Sequence, residues 1–162
     1  MLEIVVHGLY AGAPHEVGAA AALVSWGGEE LVRLRECYRN TAVRSALDAE
    51  LSILTAALDW ARGQGGMGET VTVRTGLGSL AAACQGRGEA SRPDIQALIG
   101  RLEALASDFE GIHAVIAPAW TTASAQESAL QCLLTWVRSV AWTSPEAKKP
   151  QAAAEVEKGK TP

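Results

Sequence analysis

The spacing of apolar residues changes twice along this chain. Leu2 to Leu9, "LEIVVHGL", is a short continuous apolar run that suits a central strand. "AGAPHE" follows as a loop, marked by Gly and Pro. Val17 to Trp26, "VGAAAALVSW", reads as a second strand unusually rich in alanine. Gly27-Gly28 is a hairpin signal, and "ELVRLRECYR" then alternates apolar with charged residues. Three antiparallel strands in succession are the economical reading. The small alanines would let helices pack closely on that sheet.

From Thr41 the period becomes helical. Leu47, Leu51, Leu54 and Leu58 mark one face of a helix that ends near Arg62. Gly63, Gly65, Gly66 and Gly68 terminate it. "TVTVRT" is a β-branched strand, expected to return parallel to the first because a helix precedes it. "LGSLAAAC" is a short helix before the loop "QGRGEA". Ser91 is the expected cap of the next helix, with Pro93 in its first turn and Ile95, Leu98, Ile99, Leu102 and Leu105 as its core stripe. "IHAVIAPAW" is read as a fifth strand stopped by Pro118, with Trp120 at its end. A last helix is predicted from about Ala123 to Trp142, its apolar side being Leu130, Leu133, Leu134, Val137 and Val140. The expected fold is α/β: a mixed five-stranded sheet of three antiparallel strands and then parallel crossovers, with helices on both faces.

Composition refines this picture. A chain of 162 residues with 48% apolar content supports one domain, read as residues 1–142. Residues 143–162 have no aromatic and no large aliphatic except Val156, and are expected to form a disordered tail. No apolar run reaches the roughly 20 residues of a membrane span, and no basic-then-apolar leader opens the chain. An intracellular protein, cytoplasmic or nuclear, is the expectation, with no membrane partner. Cys37, Cys84 and Cys132 are widely spaced and lack a CxxC pair, so reduced core thiols are expected ahead of a metal site or disulfide. Outside the tail there are ten arginines, no lysine and fifteen acids. That acidic body disfavours general binding of a phosphate backbone.

Four strings carry a resemblance. "VVHGL" before "VGAAAALVS", "DAELSILTAALDWA", "VTVRTGLGSLAA" and "APAWTTASAQESAL" occur in an order and spacing that resemble the ribonuclease H domain. They resemble especially the version attached to reverse transcriptases of fungal retrotransposons. In that family the corresponding strings are Asp-Gly-Ser before a Gly-Ala-Ala strand, Ala-Glu-Leu on a helix, Thr-Asp-Ser opening a helix, and Pro-Ala-His followed by Asn-Glu. The resemblance runs from Leu2 to Trp142. It implies four carboxylates that hold two Mg2+ ions for cleavage of the RNA strand of a hybrid. Carried over, the first Asp falls on His7, the helix Glu on Glu50, the second Asp on Gly76 and the last on Leu130. The His of Pro-Ala-His falls on Trp120 and the Asn of Asn-Glu on Gln126.

Only Glu50 keeps its chemistry in that set. Two divalent ions about 4 Å apart repel and need several anionic oxygens to hold them. A glycine, a leucine and a neutral nitrogen donor do not supply these. The expectation is a domain that kept the scaffold and lost the nuclease, as domestication from a retroelement would leave it, with no cofactor and no catalytic residue. Glu50 is then a remnant ligand, or a carboxylate bordering the core and paired with a neighbour such as His7. A zinc site from His7, His113 and Glu50 is disfavoured, because the two histidines would lie at opposite edges of the sheet. Neither a GxSxG nucleophile nor a phosphate loop is present, since "GQGGMG" ends a helix rather than opening one.

Partners are read from the aromatics and arginines. Trp60 and Trp136 fall on helix stripes and are expected in the core. Trp26, Trp120 and Trp142 stand at element ends, where they either seal the core or contact a protein partner or a second copy. Arg74, Arg87, Arg92 and Arg101 are the candidates for nucleic-acid contact around the former site. Protein interaction or scaffolding is thus the leading expectation, non-cleaving hybrid binding the second, and an enzyme with an altered centre the third.

Overall fold

The computed structural model describes residues 1–39, 43–88 and 92–143, with the side chains of 140–143 excepted. Its elements follow the predicted order: β1 (Leu2–Ala11), β2 (Val17–Trp26), β3 (Glu29–Arg39), α1 (Ala46–Gly63), β4 (Thr70–Thr75), α2 (Gly78–Cys84), α3 (Pro93–Ala106), β5 (Gly111–Ile116) and α4 (Ala119–Thr143). The sheet order is β3-β2-β1-β4-β5. β1 pairs antiparallel with β2, which pairs antiparallel with β3. The α1 crossover returns β4 parallel to β1, and β5 is parallel to β4. The β2–β3 turn needs its two glycines, since Gly27 and Gly28 have φ +62 and +91, a two-residue hairpin geometry that β-carbons disfavour.

Strand alternation creates two unequal cores. Leu2, Ile4 and Val6 of β1 join Ala20, Ala22 and Val24 of β2 and Val71 and Val73 of β4 beneath α1. Helices α1, α2 and α3 all contribute to that layer through Leu51, Leu54, Leu58, Leu80, Ile95, Leu102 and Leu105. On the other face α4 alone packs over β1, β2 and β3, where Val5, Leu23 and Ala125 form a small cluster. Helices therefore cover both faces, as the pattern predicts.

Local signals explain most boundaries. Ser45 caps α1 by accepting a hydrogen bond from the Asp48 N–H at 3.1 Å, and Asp48 in turn accepts from the Arg44 N–H at 2.7 Å. Three boundaries or faces differ from expectation. The N-cap of α3 is Arg92, whose side chain makes no capping bond; the expected cap, Ser91, lies outside the described residues. β5 ends at Ile116 and α4 starts at Ala119, so Trp120 stands in a first helical turn rather than at a strand end.

The third difference is the face of α4. Its buried residues are Thr122, Ala125, Ser128 and Ala129, while Leu130, Leu134 and Val137 are 45%, 45% and 46% exposed. Trp136, expected in the core, is half-buried and holds Arg39 over its ring at 5.5 Å. The reason is steric. The β2 residues on α4's side include Ala19 and Ala21, both fully buried, and a helix seated on alanines presents small residues to them. Val140, also assigned to the apolar side, has its side chain outside the described residues.

Candidate functional site

The ends of β1 and β4 and the first turns of α1 meet at Glu50. Its carboxyl is buried, with 1% of the residue exposed. Oε1 accepts from the Gly8 backbone N–H at 3.0 Å, and Oε2 accepts from the Thr75 hydroxyl at 2.6 Å. The Thr75 oxygen accepts in turn from the Leu77 N–H at 2.9 Å, at the N-cap of α2. One side chain therefore ties β1, α1, β4 and the start of α2. Burial pushes its pKa up to about 7, and the bonds from Thr75 and Gly8 oppose that rise.

The expected Glu50–His7 pairing is not formed. Residues alternate along β1: Gly8 turns toward α1 with Val6, whereas His7 lies on the α4 face with Val5. His7 is half-buried, its Nδ1 has no hydrogen-bond partner, and burial lowers its pKa. Glu50 is also not a border residue but part of the interior.

Gly8 is what sequence reasoning passed over. A β-carbon there would stand 2.6 Å from the Ala46 carbonyl oxygen and 2.8 Å from Glu50 Cγ. Its missing side chain lets α1 descend onto β1 and deliver Glu50. The Gly8→Ala variant should lose about 1–3 kcal/mol of stability in urea unfolding, since backbone must move to admit the methyl. A loss below about 0.5 kcal/mol would show that α1 tolerates displacement there.

Gly76 is different. No heavy atom lies within 4 Å of an added β-carbon, and its φ is not in the left-handed region. Nothing in the backbone requires glycine at this position. Leu130, from α4, is half-exposed. His113 is in register with Thr72 and hence Glu3, four residues before His7 along β1, so the two histidines do not converge. Among the described residues, no group of three or more His, Cys, Asp or Glu side chains is placed to hold a metal ion. The two Mg2+ ions that the resemblance implies do not fit this donor set: one carboxylate is present, and both its oxygens already accept internal hydrogen bonds.

The candidate arginines are spread over the fold. Arg74 shares the α4 face of the sheet with Glu3 and pairs with it at 2.8 Å. Arg92 pairs with Asp48 at 2.6 Å and Asp94 at 2.7 Å, which joins α3 to the start of α1 and raises the guanidinium pKa. Arg87 bonds the Gln85 side chain, and Arg101 is exposed on α3. Trp26 is half-buried against the core, Trp120 is 81% exposed, and the Trp142 side chain lies outside the described residues. The three cysteines are free and half-buried. Cys37 and Cys132 line one groove with Arg35 and Trp136, and burial pushes the Cys37 thiol up to about 12. Cys84 is raised to about 11 by burial and then by the charge of Glu50.

Comparison with solved structures shows a ribonuclease H-like fold. LC11-RNase H1 in complex with an RNA/DNA hybrid superposes with a TM-score of 0.74 at 16% identity, over 85% of this chain and 99% of that one. The N-terminal RNase H domain of a Mycobacterium tuberculosis protein gives 0.71 at 20% identity, over 86% and 99%. The prototype foamy virus protease–reverse transcriptase gives 0.59 at 14% identity, over 81% of this chain and 20% of that one. No protein-family model and no curated protein sequence matches the chain. No described helix is long and apolar enough to cross a membrane.

Proposed function

We propose that this chain is a catalytically inactive ribonuclease H-like domain that serves as a protein-interaction or scaffold module. The observation that carries the reading is the state of Glu50. It is the one acid retained at the four positions of the resemblance, and both its oxygens are held by Gly8 and Thr75. The other three of those positions, His7, Gly76 and Leu130, carry no carboxylate. Glu50 thus acts as an internal clamp between β1, α1 and β4, and an uncharged residue at Gly76 and at Leu130 leaves those positions less polar than metal-binding acids would. Loss of like charges there suits contact with another protein chain.

The test is incubation with an RNA/DNA hybrid and Mg2+ or Mn2+. No cleavage above buffer is expected. Cleavage that vanishes in Glu50→Ala would overturn the inactive assignment. A second reading, hybrid binding without cleavage, draws on the neighbour that is bound to an RNA/DNA hybrid. Two of its four candidate arginines already neutralise acids of this chain. That reading requires a binding constant falling steeply with salt, measured by fluorescence anisotropy of a labelled hybrid. Binding that is absent or salt-insensitive removes it.

A further inference from the structure

The apolar stripe of α4 has no partner within the described fold. Leu130, Leu134 and Val137 recur at four and three residues, which places them within an arc of about 60° on the helix. Each is nearly half exposed, while the sheet is contacted by a different, small-residue face. That spacing is the a/d pattern of a helix pair. Only two charged residues occur in the 25 of α4, Glu127 and Arg138. Both fall on one flank of the stripe, within about 20° of one another, and at its opposite ends.

We propose that α4 pairs antiparallel with α4 of a second copy of this chain, about a two-fold axis between Leu130 and Val137. The inference deepens the interaction-module reading and rests on it. Charge order selects both occupant and direction. A two-fold axis perpendicular to antiparallel helices keeps a flank on the same side, so Glu127 of one copy meets Arg138 of the other. From the stripe's midpoint Glu127 lies about 10 Å one way and Arg138 about 7 Å the other, at 1.5 Å per residue. The antiparallel pair thus brings them to within about 3 Å along the axis, twice over. A parallel pair, with its two-fold axis along the helices, would instead carry the charged flank to the opposite side of the seam and leave Glu127 and Arg138 of each copy without an ionic partner on the other. Leu130 of one copy lies opposite Val137 of the other and Leu134 lies beside the axis near its own counterpart, so the same patch faces itself, which is the self-complementarity an isologous interface requires. A single helix pair is a small interface, so the dimer should be a reversible one.

Sedimentation velocity of the full chain, from about 1 to 100 µM, reads the equilibrium. The expected result is a shift toward twice the monomer mass with rising concentration. Leu134→Asp, at a half-exposed site, should leave the fold intact by circular dichroism and weaken dimerisation by at least about 100-fold. Glu127→Arg and Arg138→Glu should each weaken it about tenfold, and the double exchange should restore it. Restoration separates the intermolecular pair from Glu127's own-chain neighbours, Arg33 and Gln131, which the exchange would not repair. A chain that stays monomeric at about 100 µM overturns the proposal, including the case in which residues 144–162 occupy the stripe. So does a dimer indifferent to Leu134→Asp, or one that the double exchange fails to restore. These failures leave the inactive-domain reading standing, because that reading is judged by hybrid cleavage.

Discussion

Glu50→Ala should cost about 2–4 kcal/mol of stability at pH 5, with the penalty shrinking as pH rises toward 7 and constant above it. The variant removes the acceptors of Gly8 and Thr75 and leaves a cavity in the layer beneath α1. The pH dependence follows from a carboxyl held at about 7 in the fold against an ordinary value of 4.5. Below pH 4.5 both folded and unfolded chains hold the proton, and its contribution is constant. Between 4.5 and 7 the unfolded chain releases it first, so the folded state binds more protons and stability falls with rising pH. Above 7 both are ionised and the fall stops. A shift of this size corresponds to roughly 3 kcal/mol over that window. Glu50→Gln isolates the effect, since an amide keeps an oxygen for Gly8 and an N–H for the Thr75 oxygen. Urea unfolding between pH 4.5 and 8 should show the wild type losing this stability relative to Glu50→Gln. Parallel curves would mean that Glu50 titrates normally in the fold.

His7→Asp, Gly76→Asp and Leu130→Asp combined, at the positions where the resemblance places metal-binding acids, should create a divalent-metal site, where none is placed among the described residues. Space permits it: a β-carbon at Gly76 meets nothing within 4 Å, Leu130 is half-exposed, and His7 Nδ1 has no bond to lose. Without metal the added carboxylates repel one another, so the melting temperature should drop and then recover with Mn2+. Isothermal titration should detect Mn2+ binding in the triple variant and none in the wild type. Hybrid cleavage should rise above the wild-type background only in the variant that binds Mn2+. A folded triple variant that binds no Mn2+ would show that the scaffold itself has moved away from a metal site, not only its donors.

Much of the architecture was legible from spacing. Alternation and short apolar runs marked β1 to β3, the Leu47–Leu58 stripe marked α1, and Gly27-Gly28 marked a two-residue turn that both positive φ values bear out. The parallel return of β4 followed from having a helix before it. Local strings were enough because each reports a covalent or steric preference of a few neighbouring residues. Reading α4 by its largest aliphatics failed for the converse reason. Which face a helix buries depends on the surface it meets, and the alanines of β2 admit Ala125 and Ala129 while leaving Leu130, Leu134 and Val137 outside. Trp120 was misplaced because Pro118 stops a strand and precedes a helix equally well.

At the candidate site the division is sharper. The resemblance of four strings to the ribonuclease H domain pointed to the positions His7, Glu50, Gly76 and Leu130, and residue identity there says whether a metal-ligating oxygen is present. What Glu50 does in their place depends on atoms far apart in sequence: the Gly8 amide, 42 residues earlier, and the Thr75 hydroxyl, 25 residues later. The same carboxyl would be an ordinary acid in a solvated helix. It becomes a clamp with a raised pKa because folding brings three elements around it and removes water, and no local pattern encodes that convergence. Gly8 and Gly76 make the point together. Both are glycines at strand ends in the sequence, yet one has α1 pressed against it and the other faces open space.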